Sequence, residues 1–182
     1  LDICKGGISM QQDTSGEKRN LDTVLVSCAA QALALLARHP QPRAVMIEHE
    51  CVTPLVLLCD DGNDMSVLRA TTQVLAELSF DVSFHSALVD GGVLGPLVVL
   101  CGSAADGELL KQVTRILHNV ASEEANSDAF LECDVIGGLV TLCELHRSTP
   151  TPDSDDILAG AIGALARLAH YDGFTPRVLR ED

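Results

Sequence analysis

The sequence has no tryptophan, one tyrosine and four phenylalanines in 182 residues. Its core therefore cannot be built around aromatic rings. With 47% hydrophobic residues, that core has to come from Leu, Val, Ile and Ala, a palette suited to helices packed closely on helices. An all-α fold is the expectation, and the apolar fraction argues against disorder. Positive charge is scarce as well: 12 Lys and Arg against 26 Asp and Glu leave a net charge of −14. Such a balance argues against a surface that tracks nucleic-acid phosphates and against docking on an anionic membrane. No apolar run approaches the roughly 18 to 20 residues of a spanning helix, so membrane insertion is not expected.

Catalytic signatures are missing in the same way. There is no HExxH, no GxSxG, no P-loop and no GxGxxG after a strand, so neither an enzyme nor a cofactor is expected. The seven cysteines, at 4, 28, 51, 59, 101, 133 and 143, contain no CxxC pair and are odd in number. They form neither a disulfide framework nor a zinc ribbon, and they suit a reducing compartment. A cytoplasmic location, cytoskeletal or ciliary included, is the expectation. The six histidines show no metal-binding spacing, and His39, His85, His118 and His170 read as solvated caps or surface residues at the ends of helices.

What the sequence does have is a period. "PLVLLC" at Pro54 to Cys59 returns as "PLVVLC" at Pro96 to Cys101 and as "GLVTLC" at Gly138 to Cys143, 42 residues apart each time. Leu33, Leu75 and Leu117 keep the same spacing, as do Leu36, Leu78 and Val120. A fourth copy, at Leu165 and Leu168, follows after 48 residues. The six extra residues fall in "HRSTPTPDSDD", which reads as a loop over 147–156. "LDIC" at Leu1 to Cys4 matches the end of the same hexapeptide and is followed by a polar stretch, read as a loop over 5–20.

Each unit reads as three helices. The first is short ("RAVMIEHE", "HSALVDGG", "SDAFLECD"). The second, Cys51 to Asp60 and its equivalents, is apolar on nearly every side and should be buried. The third is long and amphipathic: Leu68, Thr71, Val74, Leu75 and Leu78 make one stripe, with Arg69, Gln73 and Glu77 opposite. No unit can bury its apolar face alone, so stacking must supply the core. Cysteines one repeat apart would lie on the order of 10 Å from each other, too far to converge on one metal. They read as small apolar residues at a tight helix end.

A period near 42 with short, buried and long helices resembles the armadillo repeat family, whose pattern runs roughly GG-x-x-PLV-x-LL, a polar turn, then A-x-x-x-L-x-N-L-A. The best match is "DGGVLGPLVVLC" at Asp90 to Cys101 with "RILHNVAS" at Arg115 to Ser122. Glu50 and Asp134 depart from it by standing where a Gly is usual; a HEAT-type helical pair remains open for the weaker copies. The resemblance implies a right-handed α-solenoid of about three and a half repeats. It would form a single array over 1–182: a partial repeat over 1–38, repeats over 39–79 and 80–121, and a last one over 122–182. Both ends fall inside a unit, so an internal section of a longer array is expected.

In that family the third helices line a concave groove that takes an extended peptide, with an Asn on successive helices clamping its backbone. By position, the Asn row is Leu35, Glu77, Asn119 and Arg167. One turn earlier come Gln31, Gln73, Arg115 and Gly163, and one turn before that Ser27, Arg69, Lys111 and Ala159. The nuclear-import adapters of the family carry Trp in the middle row to stack on lysines. This chain has none, so recognition of a basic signal in that way is not expected. Arg69, Lys111, Arg115 and Arg167 against Glu77 make the groove basic. That resembles the catenin branch, which binds acidic extended segments. The candidate contact residues are thus Arg69, Gln73, Glu77, Lys111, Arg115, Asn119 and Arg167. Ordinary solvated helix-face charges would look the same in sequence. The expected role is a non-catalytic scaffold or adaptor for other proteins or peptides, within a multi-protein complex. The alternatives are an architectural component of a cytoskeletal or axonemal assembly, held by its edges and loops, and the substrate-recognition array of a ubiquitin ligase.

Overall fold

A computed structural model describes residues 13–171, with side chains from Asp22 onward. Cys4 and its "LDIC", and the short helix expected in "TPRVLRED", lie outside the described residues. The described residues form ten α-helices and no strand. The long helix α1 (Asp13–Ala37) is followed by three three-helix units: α2 (Pro40–Glu48), α3 (Val52–Leu57) and α4 (Met65–Leu78); α5 (His85–Asp90), α6 (Leu94–Ser103) and α7 (Gly107–Val120); α8 (Ser127–Glu132), α9 (Val135–Ser148) and α10 (Ser154–Ala169). The long helices pack in series, α1 on α4, α4 on α7 and α7 on α10, while α6 packs on α9.

The core follows the periodic leucines. Leu75 and Leu78 in α4, Leu117 and Val120 in α7 and Leu168 in α10 are all buried, each worth roughly 1.5–3 kcal/mol of apolar transfer. Among the described residues the only fully buried aromatics are Phe84, just before α5, and Phe130, within α8. No single helix among the described residues is long and apolar enough to cross a membrane.

The turn between first and second helices has one conformation in all three units. Glu50, Gly92 and Asp134, 42 residues apart, all have positive φ, at 50°, 79° and 50°. Only glycine adopts this left-handed geometry without a steric cost. The two departures from the glycine pattern are therefore L-residues held in a glycine conformation by the repeat around them. Asp134 is partly compensated, because its carboxylate accepts from Gly137 N at 3.3 Å.

Four expectations need correction. Residues 13–20, read as loop, are helical: "DTSGEKRN" is polar, but Glu, Lys and Arg are good helix formers and no proline interrupts them. The loop read over 147–156 is confined to Thr149–Asp153, since α9 and α10 extend into it from both sides. The inserted residues mostly lengthen the second helix, which has 6 residues in α3, 10 in α6 and 14 in α9. Nor are the second helices wholly buried: Leu57, Val99 and Val140 face outward at 72%, 50% and 42% exposure, because only one side of a second helix meets the core. Finally, His85 is buried and its Nε2 donates to the Ser79 carbonyl at 2.8 Å, while His118 sits half-buried within α7.

The cysteines behave as packing residues. Cys59 and Cys101 are buried, and burial pushes their thiols up to about 11 and about 12. Among the described residues all cysteines are free thiols, and no cluster of His, Cys, Asp or Glu could hold a metal ion.

Candidate functional site

Helices α1, α4, α7 and α10, packed in series, form one continuous face. Each of the last three helices is entered through an aspartate, Asp64, Asp106 and Asp153. The Asp64 carboxylate accepts from Ser66 N and the Asp106 carboxylate from Leu109 N, both at 2.8 Å, which satisfies otherwise unpaired amides of the first turn.

The row nearest these caps ties one long helix to the next. Ser27 Oγ donates to the Ser66 carbonyl at 3.2 Å. One repeat later, Arg69 Nε donates to Asp106 Oδ1 at 3.1 Å while a terminal guanidinium nitrogen pairs with the other carboxylate oxygen. One repeat later again, Lys111 Nζ lies 2.7 Å from Glu108 and 3.0 Å from Asp153. Arg69 holds the Asp106 carboxyl below its ordinary range, as Lys111 does that of Glu108. Each helix thus sends a side chain from this row to the start of its successor. Gly107 belongs to the same joint, because a Cβ there would fall 2.1 Å from Asp153 Oδ2.

In the middle row, Gln31 Nε2 donates to Ser27 Oγ at 3.4 Å and Gln73 is half-buried. Arg115 stands 3.7 Å from Glu77 and places its guanidinium over the ring of Phe80, 4.9 Å from the centroid. Burial lowers the basicity of Arg115. Gly163 closes the row. A Cβ on it would come 2.6 Å from His118 Nδ1, and one on Gly160 would come 2.6 Å from Thr114 Oγ1. These glycines let α10 approach α7 closely.

In the third row Leu35 is exposed, and Glu77 is shared between Arg38 and Arg115, 3.7 Å from each. Asn119 Nδ2 donates to Ser79 Oγ at 3.0 Å. Arg167 is half-buried and forms no ion pair among the described residues. Burial first, and Arg167 second, hold the His118 imidazole below its usual range.

The charge pattern thus differs from a uniformly basic groove. Arg69, Lys111 and Arg115 each have an acidic partner within the fold, and Asp106, Glu108 and Asp153 join Glu77 on this face. Asp106 follows Asp64 by one 42-residue period, so these caps were legible in the sequence. Their reach to the preceding helix was not, because the joint depends on how far apart the helices pack.

No protein-family model matches the chain, and no curated protein matches it either. Solved structures do. A crystal structure of computationally designed armadillo repeat proteins for modular peptide recognition superposes with a TM-score of 0.71 at 23% identity, covering 85% of this chain and 62% of that one. A designed armadillo repeat protein in complex with the peptide (KR)4 gives 0.68 at 24% identity, covering 86% and 63%.

The fold is the armadillo repeat.

A third structure, an engineered protein, is 29% identical with a TM-score of 0.64, covering 78% of this chain and 33% of that one. The chain thus spans about three fifths of the length of the two designed armadillo structures. In armadillo terms α1, α4, α7 and α10 are third helices of a right-handed α-solenoid.

Proposed function

We propose that this armadillo array is a non-catalytic scaffold whose third-helix surface binds an extended segment of another protein. Designed armadillo neighbours made for peptide recognition support that use of the surface. We further propose an acidic residue in the segment, met by Arg167 with Asn119 beside it. The observation that carries this is the division of labour among the groove cations. Arg69 and Lys111 join consecutive helices and Arg115 is engaged by Glu77 and Phe80, whereas Arg167 has no such partner among the described residues. A carboxylate placed there gains a charge-assisted hydrogen bond without breaking an existing one.

A peptide alternating Glu and Gln, and its Lys–Gln counterpart, test this by fluorescence anisotropy. The acidic peptide should bind more tightly, and Arg167→Glu should weaken it by about tenfold, equivalent to about 1.4 kcal/mol. Arg69→Glu should act on stability more than on the preference between the two peptides. Equal binding of both peptides, or indifference to Arg167→Glu, would remove the acidic assignment.

One observation favours the architectural alternative, in which the edges carry the contacts. Leu57, Val99, Val140 and Leu145 are exposed along the second helices, an apolar row on the side away from the groove.

A further inference from the structure

A cleft of about 360 Å³ opens between α7 and α10, lined by Glu108, Lys111, Gln112 and Arg115 on one side and by Asp156 and Gly160 on the other. Its volume stands at the lower end of the range for ligand pockets and exceeds what one short side chain fills. Three buried polar atoms of its lining have no hydrogen-bond partner among the described residues: Gln112 Oε1 and Arg115 Nε, and, further along α7 beside Gly163, His118 Nδ1. Other polar groups around them already have partners. Gln112 Nε2 donates to Glu108 Oε1 at 2.8 Å, Lys111 is held between Glu108 and Asp153, and a terminal nitrogen of Arg115 faces Glu77. Leaving a buried donor or acceptor unpaired is costly, so a ligand that pairs Gln112 Oε1 and Arg115 Nε recovers that cost.

The two atoms define the ligand's chemistry. One is an acceptor and the other a donor. They sit three residues apart on one helix and so share a face. The formal charges of the lining cancel, Lys111 and Arg115 against Glu108 and Asp156, and His118 at its end is held toward its neutral form. A charged group therefore finds no net counter-charge, whereas an uncharged group carrying both a donor and an acceptor completes the set. We propose that this cleft takes the carboxamide side chain of a Gln or Asn in the bound segment. Its N–H donates to Gln112 Oε1 and its carbonyl accepts from Arg115 Nε. The proposal rests on the reading that the third-helix surface receives a peptide.

Single blocked amino acids, N-acetylated and N-methylamidated, test it without any extended ligand. Blocked Gln, Asn, Glu, Lys and Leu are titrated into the protein while the Gln112 side-chain amide, the Arg115 Nε–H and the Gly160 backbone amide are followed by NMR. Blocked Gln or Asn should move these signals at concentrations about fivefold or more below those needed for the other three. Gln112→Met, close in shape but without the acceptor, should abolish the preference while the rest of the spectrum stays native. An equal response to blocked Leu would assign the effect to the flanking peptide bonds and overturn the proposal. So would tighter binding of Glu or Lys, or a preference that survives Gln112→Met. Failure of these probes while long acidic peptides still bind would strike the cleft assignment alone. Retained probe preference with no long-peptide binding would strike the scaffold reading instead.

Discussion

Asn119 Nδ2 donates to Ser79 Oγ at 3.0 Å, joining α7 to the end of α4 across 40 residues of sequence. Ser79 is buried, donates in turn to the Ala76 carbonyl at 2.8 Å, and receives His85 Nε2 on its own carbonyl. The one asparagine of the third row is therefore oriented by the preceding repeat. Ser79→Ala removes the acceptor and should cost about 1 kcal/mol in urea unfolding. It should also shift the Asn119 side-chain amide resonances, and an unmoved Asn119 signal would show that the bond does not hold the side chain.

The joint between Arg69 and Asp106 divides into a cap and an ion pair, and the two should separate experimentally. Asp106→Ala loses the bond to Leu109 N and should destabilise by about 1–2 kcal/mol, as N-cap removals do. Arg69→Ala, which leaves the cap intact, should cost much less. The Asp106 carboxyl is held below its ordinary range, so its stabilising contribution is present above the usual Asp pKa and is lost as pH falls through the depressed one. The deficit of Asp106→Ala should accordingly shrink as unfolding is measured at increasingly acid pH.

Gly160 and Gly163 give the clearest steric prediction. Alanine is the better helix residue by about 0.8–1 kcal/mol, yet a Cβ at either position falls 2.6 Å from Thr114 Oγ1 or His118 Nδ1, with Thr114 Cβ at 2.8 Å. Gly160→Ala should be net destabilising by about 1–3 kcal/mol through forced separation of α7 and α10. Gly163→Ala should disturb the His118 titration followed by NMR, because burial holds this imidazole below its usual range and the Gly163 backbone lies against it. A stabilised Gly160→Ala would mean that the two helices pack less closely.

Much of this was legible in the sequence, and the part that was not has a physical reason. Periodic leucines set the repeat because a solenoid buries the same positions in successive units, with α1 the departure: Leu36 is exposed there and Ala34 and Ala37 are buried. The lengths of the second helices were hidden because Thr149–Asp153 is loop while its flanks are helix formers, and polar composition alone does not separate the two. The charge reading set four cations against Glu77. It missed Asp106, Glu108 and Asp153 because charge partners in a solenoid come from the neighbouring repeat, roughly forty residues away in sequence. His85 was misplaced because its ring turns back onto the Ser79 carbonyl, six residues earlier at the end of the preceding unit.

The left-handed turn offers a route to a more stable array. Glu50 carries φ of 50° at the position where Gly92 has 79°, and its side chain is exposed. Relief of about 1–2 kcal/mol of backbone strain, less the extra chain entropy of glycine at about 0.5–1 kcal/mol, leaves Glu50→Gly between neutral and stabilising by about 1.5 kcal/mol, with a gain near the middle of that range expected. Thermal and urea unfolding read this directly. Asp134→Gly should gain less, since it also gives up the bond to Gly137 N.

The central claim is that the third helices, and not the outer edges, receive the partner. Backbone amide shifts recorded on adding the alternating Glu–Gln peptide test it directly. The account predicts perturbations along α4, α7 and α10, including Asn119, Gly160 and Arg167. Perturbations confined to α3, α6 and α9 around Leu57, Val99 and Val140 would contradict it.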